Sequence, residues 1–490
     1  MKNFHVTIEE KTNEVPVMFM EKLESLKPVL LKTLKEFVSI RSVAGPAAPD
    51  APFGTGVREA LTYILDLARH DGFSVRDTDG YGGHIEFTGL TDEIVGIAGH
   101  LDVVSEGNAS EWTTPPFEPV IRNGYLYGRG VIDDKGPLLA CYYAMKALKD
   151  CGFSPAKTIR LIIGCDEETD WKGMEYYLRQ ESAPACGFSP DADFPVIHAE
   201  MGLLVCSLDK VFRTSCDAAR NPDHIQLLSF TGGSAPNVTA GFASIILECG
   251  LRAADVTEYL TSWQNAHPDK TCTFESDKTS ISITVGGKAA HGATPEKGLN
   301  AISMGFDLLS GLAFFTREVS EMIQFYNEHI GFDFHGERIG CGFSDEVSGK
   351  LVLNVGMIEW NASRFRLTLN IRYPVTADED SVYAPLEELT SHAGLSVTRQ
   401  DHLPPLYAAA DTPLVAALMD VYRRHTGDTR TSPAATAGAT YARAIPNTLA
   451  FGPLFPGEPD LCHQTDECVS VDHLMLAARI YADAIYSLSR

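Results

Sequence analysis

Apolar residues recur at steps of three and four over residues 19–38, where Leu23, Leu26, Leu30, Leu34 and Phe37 form one stripe; this spacing predicts an amphipathic helix. Residues 56–70 and 137–150 carry helical patterns as well. Between them lie strand-like runs, HIEF at 84–87, IVGIAGHLDVV at 94–104 and TIRLIIGC at 158–165. The last is β-branched and apolar and is bounded by turn formers, the pattern of a buried central strand. Helix and strand alternating over the first 200 residues predict a layered α/β domain with a central mixed sheet and helices on both faces.

From about residue 203 the pattern becomes alternating strands, HIQLLSF, SIILECG, SISITVGG, LVLNVGMIEW and FRLTLNIRYPV, with helical stretches at 251–267 and 301–323. That is a strand-rich α+β arrangement. Near residue 400 the first pattern resumes, with helices expected at 412–425 and 473–488 around the small-residue stretch SPAATAGATYARAIPN. The expected architecture is a discontinuous domain of residues 1–203 and 400–490, with residues 204–399 inserted as a second domain.

Composition narrows the function. Of 490 residues, 40 are Lys or Arg and 65 Asp or Glu, a formal net charge of −25, which argues against a nucleic-acid partner because phosphate binding takes clustered cations. The first 13 residues are polar and charged, and no later stretch reaches the roughly 18 apolar residues of a membrane span, so neither a leader nor a membrane partner is expected. Eleven cysteines without a CxxC pair are most economically reduced thiols in a cytoplasm, and none has the spacing of a structural zinc cluster.

Acids and histidines, by contrast, gather in a few segments. GHLDVVSEG at 99–107 puts His100 and Asp102 two apart at the end of an apolar strand, on one face. The carboxylate can bind a metal itself or fix the imidazole's tautomer; both groups can equally be plain surface residues. YGRGVIDDKGP at 127–137 places Asp133 and Asp134 side by side, where a carboxylate bridging two cations relieves their repulsion, or where Asp134 merely caps the following helix. CDEETDWKG at 165–173 sets Asp166, Glu167 and Glu168 directly after the central strand. Neighbouring residues diverge there, so one Glu can ligate a metal while the other faces an activated water; the alternative is an acidic turn without function. FSPDADFPVIHAE at 188–200 adds Asp191, Asp193, His198 and Glu200, and PGEPDLCHQTDE at 456–467 adds His463. Such an N/O donor set suits zinc, cobalt or manganese.

These five segments, in this order and spacing, resemble the dinuclear metallopeptidases of family M20, and most closely the bacterial Xaa-His (carnosine-type) dipeptidase branch. The resemblance covers nearly the whole chain. It implies that His100, Asp133 and Asp191 hold one divalent metal ion, and that Asp133 bridges to a second held by Glu168 and His463. Zinc is expected, with manganese or cobalt as the other candidates. Asp102 then orients His100, Glu167 is the general base, and a cis peptide joins Asp133 to Asp134. The inserted domain resembles the family's lid. His291 in GGKAAHGATPEKGLNA matches a histidine that binds the substrate carbonyl in the transition state, and Arg372 in NIRYP matches an arginine that pairs with the substrate's C-terminal carboxylate. Asn237 in SAPNVTA matches another polar lid group, although the family usually reads NMVP there. What the resemblance implies is therefore a cytoplasmic, monomeric dipeptidase acting on small unblocked peptides. An N-acyl-amino-acid deacylase or carboxypeptidase on the same scaffold, or a binding module without catalysis, are the alternatives.

Overall fold

In a computed structural model the chain is described over residues 15–212 and 224–490, so the leader expectation for residues 1–13 lies outside the described residues. The chain forms two compact units. Among the described residues, one comprises 15–198, 408–434 and 439–490, and the other 199–212, 224–407 and 435–438.

The first unit is built on a mixed sheet. Strands Lys157–Gly164, Thr91–His100, Cys186–Ser189 and Thr448–Ala450 lie side by side in that order and all run parallel, so their carboxyl ends share one rim. Gly82–Phe87 and Ser74–Asp77 extend it antiparallel beyond Lys157–Gly164. Alternate residues of these strands meet different helical layers, as a period of two requires. Gly83 lies against Leu61 and Leu65 of helix Thr55–His70, whereas the His84 ring bonds the Tyr177 hydroxyl of helix Lys172–Gln180. Gly99 lies against Leu138 of helix Lys135–Asp150, whereas Ala98 and Ile162 cluster with Met174, Tyr177, Tyr441 and Ile445. Helices therefore cover both faces. Val17–Val38 and Val471–Leu488 pack onto Lys135–Asp150 as a further layer, with Thr33 and Tyr143 sharing a hydroxyl hydrogen bond of 2.8 Å.

The second unit is an eight-stranded antiparallel sheet in the order Thr271–Ser276, Ser280–Gly286, Phe242–Glu248, Gln226–Gly232, Val352–Asn361, Arg364–Tyr373, Gly202–Val211, Ser396–Leu403. Helices Ala253–Ala266, Ala301–Leu309, Arg317–His329 and Glu379–His392 supply the rest of one continuous core. Along Ser280–Gly286 the residues Ile281, Ile283 and Val285 are buried while Ser282 and Thr284 are exposed, so this strand has one covered and one open face, whereas Arg364–Tyr373 is buried on both from Leu367 onward.

Two expected elements differ. The helix expected over 301–323 is two helices, because the intervening segment is drawn to a strand end: Phe315 donates its amide to the Ile225 carbonyl at 2.9 Å. The strand expected over 94–104 ends at His100, because Val103 turns away to donate to the Ser42 carbonyl at 3.1 Å. The helix Lys172–Gln180 is too short for the sequence pattern to have announced it.

Candidate metal centre and substrate-binding groups

The parallel rim delivers most of the acids and one histidine. His100 is the last residue of its strand, Asp166, Glu167 and Glu168 follow Gly164 closely, and Asp191 lies two residues past Ser189. Ligand sites of α/β sheets gather at such carboxyl ends. Asp133 comes from the loop ahead of helix Lys135–Asp150, and the Asp133–Asp134 peptide is cis. His463 comes from a loop near the C-terminus, with φ of 64°, a left-handed conformation that His tolerates better than most residues.

The folded loops bring these side chains together. Oδ1 of Asp133 lies 2.9 Å from His100 Nε2, and Oδ2 lies 2.8 Å from His463 Nε2, so the two oxygens of one carboxylate face different imidazoles. Oε1 of Glu168 is 2.9 Å from His463 Nε2, and Oδ2 of Asp191 is 3.6 Å from His100 Nε2. Donor atoms of His100, Asp133 and Glu168 all lie within 4.8 Å of one another, and so do those of His100, Glu167 and Asp191.

Asp102 serves both sides of this cluster. His100 Nδ1 donates to the Asp102 carbonyl oxygen at 2.9 Å, with the Asp102 carboxylate 3.5 Å away. That bond fixes the tautomer and turns Nε2 toward the acids. The same carboxylate accepts the amides of Glu167 at 3.2 Å and Glu168 at 3.1 Å, a role the sequence did not indicate. Asp134 sits at the helix start but makes no side-chain cap; its Oδ2 instead accepts the His100 amide at 3.1 Å, and a Cβ on Gly99 would fall 2.4 Å from that oxygen. Asp166 is a structural pin, accepting the Gly173 amide at 2.8 Å and the Tyr441 hydroxyl at 3.1 Å. His198 is bonded to the Ala408 carbonyl. Neither it nor Asp193 or Glu200 is among the groups whose donor atoms converge.

The electrostatics calls for positive charge. Burial, then repulsion from Asp191, holds the Glu167 carboxyl well above its usual range, and burial with Asp133 beside it raises Glu168 to about 7. Burial raises Asp191 also, against the pull of His100. Burial would raise Asp133, but hydrogen bonds from both imidazoles hold it below the ordinary value. Burial works to lower His463, yet Glu168 and Asp133 push it up to about 12. His100 Nε2 is buried and points among acceptor oxygens of Asp133 and Asp191. Four carboxylates converging on two imidazoles are the donor set of hard or borderline divalent cations, and the residues fit such a group.

In the second unit, His291 and Asn237 lie on adjoining turns. Val238 bridges to His291, and Gly292 donates its amide to the Asn237 carbonyl at 2.7 Å. Both side chains are exposed. Arg372 is a buried residue of Arg364–Tyr373; its Nε donates to Asn370 Oδ1 at 3.2 Å and its Nη1 to the Ala437 carbonyl.

Residues 96–487 match the model of peptidase family M20/M25/M40. The chain belongs to that family and is a metallopeptidase, hence a hydrolase. Among its relatives, a Bacillus subtilis (strain 168) protein named "Putative dipeptidase YtjP" is 36% identical over 95% of this chain and 98% of its own. A Staphylococcus haemolyticus protein, "Putative dipeptidase SH1171", is 34% identical over 96% and 99%. Among solved structures, human carnosine dipeptidase 1 superposes with a TM-score of 0.57 at 16% identity, covering 97% of this chain and 99% of its own. The dipeptidase Dug1p of Saccharomyces cerevisiae does so with 0.59 at 13%, covering 96% and 98%. These structures share the fold. No helix among the described residues is long and apolar enough to cross a membrane.

Proposed function

We propose that the chain is a dipeptidase that hydrolyses small unblocked peptides with two divalent cations, and that it works as a monomer in a reducing cytoplasm. The observation that carries the metal reading is Asp133, whose two oxygens face different imidazoles at 2.9 and 2.8 Å. A carboxylate so placed is suited to bridge. His100, Asp133 and Asp191 would hold one ion, and Asp133, Glu168 and His463 the other. Zinc, manganese and cobalt all fit these N/O donors, with zinc preferred for its affinity. When bound, such a pair lowers the pKa of a shared water and polarises a carbonyl.

The protein's own groups supply the remaining chemistry. Glu167 is assigned as general base: its backbone is pinned by Asp102 and by the Trp171 indole, which donates to the Glu167 carbonyl at 2.6 Å, and burial makes its carboxylate a stronger proton acceptor than a free one. It takes the proton of the attacking water and returns it to the leaving amine. His291 is assigned to the developing oxyanion, and Asn237 to substrate beside it. Arg372 is assigned to the free carboxylate of the substrate, for which a guanidinium held by Asn370 is a pre-oriented fork. Recognition of the free carboxylate together with the scissile carbonyl favours very short peptides, and the dipeptidase names of the relatives support that substrate class. The reducing compartment is supported by the described cysteines, all of which are free thiols.

The test is hydrolysis by chelator-stripped protein of a panel of free dipeptides, tripeptides, N-acylated dipeptides and acyl-amino acids, with and without added zinc or manganese. Metal-dependent cleavage confined to free dipeptides is expected. Preference for acylated substrates would replace the dipeptidase by a deacylase on the same metal site, and no turnover with any metal would leave a binding module.

A further inference from the structure

Glu467 and Arg129 lie outside the convergent donor set, yet both are essentially buried, at 0% and 2% exposure, and joined at 2.8 Å. A buried ion pair costs so much desolvation that an apolar pair of similar volume is often as stable. Its partners indicate what it does instead. Glu467 accepts the amide of Gly130 at 3.0 Å on both oxygens and that of Ile132 at 2.9 Å on Oε1, while its own carbonyl accepts the Gly128 amide at 3.0 Å. Every one of these bonds lands on the five residues that end just before Asp133. Gly130 has φ of 88°, and a Cβ there would fall 2.8 Å from Val103, so the loop is shaped to lie close against the strand exit.

Arg129 carries the connection further. Its Nη2 donates to the Ser105 carbonyl at 3.4 Å, its guanidinium lies 5.2 Å over the Trp112 ring, and the Trp112 indole donates to the Glu106 carbonyl at 2.9 Å. Ser105 and Glu106 belong to the segment that leaves the sheet at His100 and Asp102. On the other side Glu467 is four residues after His463. That loop holds two left-handed non-glycine residues, His463 with φ of 64° and Asp466 with φ of 59°, a costly backbone that persists only where contacts fix it. Asp466 accepts the amide and hydroxyl of Thr113 at 2.8 and 3.0 Å, and Glu467 supplies the remaining anchor.

We infer that the Glu467–Arg129 pair is a clasp that positions the metal centre, holding the segments of His100, Asp133 and His463 in one register. Both are positioning residues, acting through the ligands. The inference rests on the metal reading proposed above. A carboxylate is needed because one side chain meets a guanidinium and two backbone N–H groups; an amide would turn a donor toward donors, and Asp would fall a methylene short.

The test is calorimetric titration of chelator-stripped protein with Zn²⁺ and with Mn²⁺, together with thermal unfolding of the stripped protein. Wild type takes up two equivalents. In Glu467→Gln at least one equivalent should bind 10- to 100-fold more weakly, the usual cost of losing a group that orients ligands. Arg129→Lys, which keeps a cation beside Glu467 but loses the reach to Ser105, should give a smaller loss; it also provides the readout should Glu467→Gln fail to fold. Variants that bind both equivalents within twofold of wild type, or that lose capacity only in proportion to their unfolded fraction, would overturn the clasp while leaving the metal centre standing. A wild-type protein that takes up no divalent ion would overturn the metal reading and the clasp with it.

Discussion

In the first unit Asp133, Glu167, Glu168 and Asp191 converge on two imidazoles, and burial raises three of the four carboxyls. In the second, a buried ladder of neutral amides and hydroxyls is matched around Arg372. Thr239 donates its hydroxyl to Asn354 Oδ1 at 3.0 Å, and Asn354 donates to the Pro236 carbonyl at 2.8 Å. Across the ladder, opposite Asn354, Asn370 accepts from Arg372. The first arrangement concentrates negative charge that, on the reading proposed above, divalent cations would balance. The second is complete, because each amide hydrogen bonds within the unit and shapes the turn of Asn237 and the fork of Arg372. The difference separates a cluster of converging charge from a ladder that holds backbone shape.

The largest effect expected of this contrast is on turnover. Glu167→Gln should lower kcat by about 10²–10⁴-fold while metal content, read by elemental analysis, stays at the wild-type level. Equal loss of metal and activity would make Glu167 a ligand and exchange its role with that of Glu168. Next is stability. Ions at 100 times their dissociation constant stabilise by about 2.7 kcal/mol. Chelation should accordingly speed amide exchange in the loops around His100, Asp133 and His463 and leave strands Val352–Asn361 and Arg364–Tyr373 unchanged; uniform loosening of both units would erase the contrast. The neutral ladder breaks differently. Asn354→Leu leaves the Pro236 carbonyl and the Thr239 hydroxyl without this partner and should cost about 1–3 kcal/mol in denaturant unfolding. KM should rise severalfold through the Asn237 turn, and metal uptake should not change.

The remaining prediction, which shows only in acid and leaves neutral pH untouched, tests a buried base away from both sites. Burial, then the charges of Arg160 and Arg76, lowers His84 from 6.5 to about 3; Glu86, 3.9 Å away, is already engaged by Arg160 at 2.9 Å. The folded protein thus keeps His84 neutral where the unfolded chain protonates it. The stability it contributes is present above pH 6.5 and is lost as pH falls toward 3, with a slope of at most about 1.4 kcal/mol per pH unit. His84→Gln should flatten the pH dependence of unfolding in that window by up to this slope; an unchanged profile would show the ring already charged in the fold.

Periodicity made the layered unit and the antiparallel unit legible, because the stripe of Leu23, Leu26, Leu30 and Leu34 and the alternation of Ile281, Ile283 and Val285 are written directly in residue order. The candidate metal cluster was legible as five acid-rich segments. What sequence order concealed were contacts made by backbone groups and by residues of ordinary type. The amides of Glu167 and Glu168 on Asp102 depend on a turn no side chain announces. Tyr441, buried against Asp166, was visible only as part of a small-residue stretch. Glu467 and Arg129 sat inside motifs noted for other members, and their pairing joins positions 338 residues apart. A break such as that at 310–316 follows from a bond to Ile225, far away in sequence, and not from local propensity.

The first unit's interruption by the second also sets a timetable. Glu168 precedes its neighbour His463 by 295 residues. At the roughly 5–20 residues per second of synthesis, that separation is about 15–60 s on the ribosome. Throughout that interval the acids are already made, while the histidine that meets both Asp133 and Glu168, and the helix Val471–Leu488 that packs beneath them, are not. On the proposed metal reading, the centre stays incomplete through that interval, until His463 has been made.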